Sequence, residues 1–313
     1  MMLDIIVTHY NEPWPICKPF FDMLACQRGV DFDEFRVILV HDGTPRFPEE
    51  YFSCYPYNVM QLDKPHGGVS EARNFGLSVS DATWVQFADC DDTYTGIYSL
   101  RAVMSHMDRD VDYMWSPFWV EYMKNGELTA RVQEANIVWI HAKYFRRKWL
   151  IENKIVFPVG IHYSEDSAFG AVVNELIKPE RSGKIKTDVP IYVWAYRDDS
   201  VSLNPANEEK NVTGFIDRNV YVIEEFKRRG ISHIGMVARM FADAYWTFHQ
   251  ADHKFPEQEK RFIKLAKPYY EDFRKNDTVY VYKVLNAARN AFNTREMDTS
   301  ESLWQWIDRI EKA

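Results

Sequence analysis

The chain has 313 residues, long enough to bury one large core or two modest ones, and its 46% hydrophobic and 15% aromatic content excludes a disordered chain. A formal net charge of −8 argues against a general nucleic-acid binder, so an anionic substrate needs local help from a metal or from placed arginines. Cys17, Cys26, Cys54 and Cys90 show no C-x-x-C spacing and are too sparse for a disulfide scaffold, so reduced thiols are expected. The first residues run straight into an apolar strand without a signal-peptide pattern, and no apolar run approaches the roughly 20 residues that span a bilayer. A cytoplasmic protein is expected, with peripheral membrane contact and homo-oligomerisation left open.

Residues 5–8 read as a buried strand, followed by the loop His9-Tyr10-Asn11-Glu12-Pro13. Helical spacing over 20–28 stops at Gly29. Residues 35–40 form a second apolar strand ending in His41-Asp42-Gly43-Thr44, and 58–62 a third. His66-Gly67-Gly68 then opens a helix over 69–77. The fourth strand, 84–88, delivers Asp89-Cys90-Asp91-Asp92. Three carboxylates in four residues repel one another. A Mg²⁺ or Mn²⁺ ion with a diphosphate in its shell relieves that, although a solvated acidic turn has the same composition. Strands alternating with helices predict a mainly parallel sheet, in which ligands sit beyond the carboxyl ends of the strands. Thr8, Tyr10, Asp42, Asp89 and Asp91 all fall at those ends.

Further on, 110–122 reads as a strand, with Lys124-Asn125-Gly126-Glu127 as a turn into a partner. Residues 139–151 read as a helix carrying Lys143, Arg146, Arg147 and Lys148. Phe157-Pro158 breaks the pattern, and Ser164 serves as a plausible N-cap for a helix running to about 176. Residues 185–196 supply closing strands before the polar loop 197–202. From about 207 helical periodicity dominates, over 214–229, 231–250, 257–273, 279–292 and 300–310. The expected organisation is an α/β domain over 1–205 and a helical region over 206–313, serving the acceptor or oligomerisation.

Five ordered motifs over residues 3–202 resemble the inverting GT-A glycosyltransferases, which transfer sugars from nucleotide diphosphate sugars. Ile5 to Glu12 is similar to the family's first strand and base-binding loop. His41-Asp42-Gly43-Thr44 resembles its Asp-Asp-Gly-Ser/Thr element, with His41 in place of the first Asp. Residues 67–77 are close to its G-x-x-x-A-R-N-x-G-L helix, Asp89-Cys90-Asp91-Asp92 to its metal motif, and Glu165-Asp166 to the pair carrying its base. Trp139 to Arg147 with Phe157-Pro158, and residues 196–202, are weaker echoes of bacterial capsule and cell-wall members. The helical tail resembles nothing that can be named.

The resemblance implies a Rossmann-like GT-A sheet flanked by helices, a UDP-sugar donor, Mn²⁺ or Mg²⁺, and a glycan, glycolipid or protein acceptor. It puts Thr8, Tyr10, Asn11, Glu12 and Asp42 at the nucleotide, with Tyr10 stacking on uracil and Asp42 accepting from the ring N–H. Arg73 meets the nucleotide and its acidic neighbours, where the small Ala72 and Gly76 let its helix approach the sheet. Asp91 is the main metal ligand, and Asp89 contacts the ribose or the metal, whereas Asp92 reads equally as structural. Arg197 and Lys143 are candidate clamps on the diphosphate. Asp166 is the candidate base and Glu165 orients the site; His162 is not expected to bind metal.

Several of these residues have a plainer reading: Asp42 as a turn residue, Arg73 and Arg197 as surface charges, Glu165 and Asp166 as acids at a helix start. Other functions fit parts of the pattern. A protein that binds nucleotide sugars without transferring them would keep the fold. A sugar nucleotidyltransferase usually carries a glycine- and basic-rich loop after its first strand, where this chain has His9 to Glu12. An interaction module would place its function in the helical tail.

Overall fold

The computed structural model describes residues 1–134, 139–161, 163–198, 208–251, 253–276, 278–291 and 301–312. They fall into two compact units, residues 1–162 with 169–200, and residues 163–168 with 201–313.

The first unit is built on a seven-stranded sheet. Strands β1 (Leu3–His9), β2 (Phe35–Asp42), β3 (Asn58–Lys64) and β4 (Trp84–Asp89) lie parallel, in the order β4-β1-β2-β3. Ile5, Ile6, Val7 and residues 37–40 are fully buried, as a strand covered on both faces requires. Helix α1 (Trp14–Ala25) brings Phe20, Phe21 and Leu24 into one core with Ile5 and Val7. Helix α2 (Val69–Val79) covers the opposite face. There Gly76 permits close approach, since a Cβ at that position would lie 2.4 Å from Ile6 Cγ2.

Strand β5 (Thr93–Tyr94) follows the acidic turn and helix α3 (Ser99–Met104) follows it. The region 110–122, expected to be one strand, is two: β6 (Tyr113–Trp115) joins the large sheet and β7 (Phe118–Lys124) a smaller one. β7 pairs with β8 (Glu127–Gln133) through Asn125 and Gly126, both at positive φ, the backbone of a tight hairpin turn. The helix expected over 139–151 does not form over most of that range. Lys143–Arg146 form strand β9, antiparallel to β4 and β6, and only Arg147–Glu152 are helical, as α4.

Helix α5 (Glu165–Leu176) is divided between the units after Ala168. Ser164 stands at φ +64, outside the extended backbone usual for an N-cap, and its carbonyl accepts from the Ala168 N–H. β10 (Ser182–Lys184) edges the large sheet, and β11 (Tyr192–Trp194) pairs with β5 and β7 in the smaller one. The four cysteines are free.

The second unit is helical as expected: α6 (Glu208–Arg228), α7 (Ile234–Gln250), α8 (Pro256–Ala266), α9 (Tyr270–Arg274), α10 (Thr278–Ala291) and α11 (Leu303–Lys312). α7 is its core, buried on most sides through Phe241, Tyr245, Trp246 and Phe248. Among the described residues no helix is long and apolar enough to cross a membrane. His162 and the loop residues 199–207 lie outside the described residues.

Candidate active site

Parallel pairing carries the polar ends of β1, β2 and β4 to one edge of the sheet. Thr8 is the register partner of Asp89, and its hydroxyl donates to Asp89 Oδ1 over 3.3 Å. Arg73 Nη2 donates to the same oxygen at 2.9 Å. The Arg73 guanidinium is buried and lies 5.1 Å from the centre of the Phe157 ring. Asn74 fixes that ring's backbone, donating to the Phe157 carbonyl and accepting from its N–H, each at 2.8 Å. Burial opposes ionisation of Asp89, but the charges of Arg73 and His141 and the bonds from Arg73 and Thr8 hold its carboxyl below the usual range.

The next two carboxylates diverge. Asp91 lies 3.0 Å from Arg197 Nη1, which also approaches Glu12 at 3.9 Å. Burial, then the charges of Asp92 and Asp89, push the Asp91 carboxyl up to about 7 against the opposing pull of Arg197. Asp92 is buried, accepting from the Tyr192 hydroxyl at 2.9 Å and the Ala195 N–H at 3.1 Å, with His141 Nδ1 at 3.3 Å. Ligand atoms of Asp89, Asp92 and His141 all lie within 4.8 Å of one another, and two carboxylates with an imidazole form a donor set fit for a divalent cation. His141 reaches this edge because β9 is antiparallel, so the residues before it arrive where β4 ends. Lys143, two residues on, is buried within the sheet in register with Trp115.

Along the same edge, Asp42 pairs across the strands with Lys64, whose Nζ lies 2.6 Å from Oδ1. The N–H groups of Gly67 and Gly68 donate to the same carboxylate at 2.9 and 2.8 Å, and His66 Nδ1 approaches at 2.9 Å. Burial raises the cost of this charge, yet Lys64 and the two amides outweigh it and hold the Asp42 carboxyl low. Asp42 thus fastens the loop that opens α2. Tyr10, half exposed, stacks on His66 at 4.4 Å between ring centres. Glu12 accepts from the Tyr10 N–H at 2.7 Å, and Asn11 Oδ1 accepts from the Thr44 hydroxyl at 3.1 Å. Behind them His9 and His41 face each other, Nδ1 to Nδ1, at 2.8 Å.

Glu165 and Asp166 open α5 and group with the second unit. Asp166 Oδ1 accepts from the Ser167 N–H at 2.7 Å. Helix α6 presses on this start: a Cβ at Gly214 would meet Tyr163 Cβ at 2.5 Å and its carbonyl oxygen at 2.8 Å. One turn further along α6, Arg218 bonds Asp243 at 3.0 Å, and Asp243 also pairs with Arg239 at 2.6 Å. Burial pushes Arg218 down; the charge of Asp243 and, more weakly, of Asp166 opposes it.

Thr8, Arg73, Asp89, Asp91, Glu12 and Arg197 therefore meet at one edge, with Tyr10 and Asp42 beside them. Sequence reading missed His141, whose signal was the aromatic-rich stretch 139–145, read there as helix, and Tyr192, which lies in the expected closing strands 185–196 with no local mark of its partner.

Solved structures share this architecture. S. aureus TarS (residues 1–349, in complex with UDP-GlcNAc) superposes with a TM-score of 0.63 at 18% identity, covering 93% of this chain and 92% of that one. A longer S. aureus TarS structure gives 0.64, covering all of this chain and 55% of its own. The likeness gives the fold, that of the GT-A glycosyltransferases. Residues 4–164 match the model of Glycosyl transferase family 2, and the chain belongs to that family. Minor teichoic acid biosynthesis protein GgaB of Bacillus subtilis (strain 168) is 25% identical over 227 residues, 66% of this chain. Uncharacterized glycosyltransferase EpsJ of the same organism is 25% identical over 191 residues, 54% of this chain. The chain spans 24% of the first relative's length and 54% of the second's.

Proposed function

We propose that the chain transfers a sugar from a UDP-sugar to a hydroxyl acceptor, on a glycan, glycolipid or protein, with inversion at the anomeric carbon. The observation that carries this reading is Asp91 beside Arg197, 3.0 Å apart at the end of β4. Each stands for the other in the place of a ligand: Arg197 in that of the divalent ion beside Asp91, Asp91 in that of the diphosphate beside Arg197. Asp91 keeps about a quarter of its side chain exposed (27%), whereas Asp92 keeps 1%, so Asp91 is the carboxylate an arriving ion can reach. Asp89 is the second ligand, neutralised by Arg73 until the donor binds. When bound, Mn²⁺ or Mg²⁺ supplies Lewis-acid help to the departing diphosphate.

The protein's own groups do the rest. Tyr10 and Thr8 receive the base, with Asp42 as the acceptor beside them, and Asn11 and Glu12 shape the loop. The uridine nucleotides bound by S. aureus TarS support a UDP donor. Lys143 adds positive charge behind the site. Asp166 takes the acceptor's hydroxyl proton as that oxygen attacks, and Glu165 orients it.

A second ion position is favoured by the grouping of Asp89, Asp92 and His141. Thermal-shift measurements with UDP-sugars, with and without Mn²⁺, separate the two. Asp91→Asn should abolish Mn²⁺-dependent protection by UDP without unfolding the protein, while His141→Asn should leave it. The reverse pattern moves the ion to the trio, and metal dependence unchanged in both variants overturns the metal assignment.

A further inference from the structure

The second unit holds a cluster that donor chemistry does not use. His249 lies in the last turn of α7, and His253 just beyond it stands at φ +52, in the left-handed region uncommon for non-glycine residues. That turn brings the two rings to 4.6 Å between centres. Glu301, two residues before α11, completes the group: one ligand atom from each residue lies within 4.8 Å of the others.

Hydrogen bonding sets both rings in the same tautomer. His249 Nδ1–H donates to the Tyr245 carbonyl at 2.7 Å, and His253 Nδ1–H to Glu259 Oε2 at 3.0 Å. Both Nε2 lone pairs are therefore left to point elsewhere. Nδ1 bonds of this kind, to a carbonyl and to a carboxylate, are the outer-shell partners that fix metal-ligating histidines. Glu259 is itself held by Trp306 at 3.1 Å and Arg309 at 3.0 Å. The His249 side chain is 93% buried by its 7% exposure; among the described residues its Nε2 makes no hydrogen bond, and Glu301 Oε2 is 3.6 Å away. Arg309 takes one side of Glu301 Oε2 at 3.3 Å, and the Tyr245 hydroxyl fixes the Glu301 backbone carbonyl at 2.6 Å.

We infer that His249, His253 and Glu301 bind a zinc ion that ties the end of α7 to the start of α11. Two imidazole nitrogens and one carboxylate are ligands of a tetrahedral zinc site whose fourth position takes water. They suit zinc better than Mg²⁺, which prefers an all-oxygen shell. This site is separate in residues and in metal preference from the one assigned to the donor.

The test is titration of the chelator-stripped full-length protein with Zn²⁺ against a chromophoric competitor, repeated with Co²⁺ for its visible tetrahedral absorption. Asp91→Asn should still bind one equivalent of zinc. His253→Asn, changed at a partly exposed side chain, should lose affinity by about 100-fold or more and lose the Co²⁺ band. His249→Asn should do the same, and a failure of that variant to fold leaves His253→Asn to decide. No stoichiometric zinc binding by the unaltered protein, or equal binding by His253→Asn, overturns the site.

Discussion

At the scale of single residues, the acidic turn shows how neighbours divide labour. Asp89, Asp91 and Asp92 are nearly adjacent in sequence yet face Arg73, Arg197 and Tyr192 respectively. One is held ionised, one pushed up to about 7, one bonded into the fold. Asp166 carries the sharpest functional claim. A group acting only on the acceptor's proton contributes little to donor affinity, so Asp166→Asn should bind UDP-sugar nearly normally and lose transfer by about 10²-fold or more. Were it merely an acid favourable to the helix start, the variant would lose about 0.3–1 kcal/mol of stability and keep its activity. Donor titration and turnover on one preparation decide between them. The acidic motif and the arginine of α2 were legible because type and spacing carry them. The partners were not, since nothing local reveals that Tyr192, about 100 residues downstream, donates to Asp92.

At the scale of elements, the legible pieces were those closed by local rules. β1, β2, β4 and α2 were readable from apolar runs and a glycine opening, and the β7–β8 hairpin from Asn125-Gly126. β9 was not. Lys143, Arg146 and Arg147 recur at helical spacing, but Arg146 donates to the carbonyls of Val111 and Arg109 and lies over Trp84, so tertiary pairing overrides the period. Between β1 and β2, His9 also bonds the Glu12 carbonyl at 2.9 Å and His41 the Gln61 side chain at 2.8 Å. Two imidazolium rings cannot share the Nδ1 contact. Burial lowers both pKa values from the ordinary 6.5. Protons therefore bind the unfolded chain more readily, so this contribution is whole above 6.5 and declines as pH falls toward the lowered values. Urea unfolding between about pH 7.5 and about pH 5.5 should show a steeper loss for the natural protein than for His41→Gln. Equal slopes would remove the pair from the acid sensitivity.

At the scale of the whole molecule, a boundary near 205 was the natural expectation from the change in composition, and the contacts divide the chain differently, giving residues 163–168 to the helical unit. No composition shift marks that exchange, because it depends on α6 lying against Tyr163. Gly214→Val should place branched carbon where Tyr163 Cβ and carbonyl already sit and destabilise the protein by about 1–3 kcal/mol. Calorimetry measures this directly; an unshifted melting temperature would mean that α6 does not hold the start of α5 as described.

That exchange of six residues sets an order of assembly. A chain emerging from the ribosome, N-terminus first, can pair β1 with β2 and β4 while its last third is still unmade. The surroundings of Glu165 and Asp166 come later, when α6 is available to close on Tyr163. The residue proposed as the base is thus among the last to be given its environment, and a prematurely terminated chain holds the polar edge of the sheet with Asp166 unsupported.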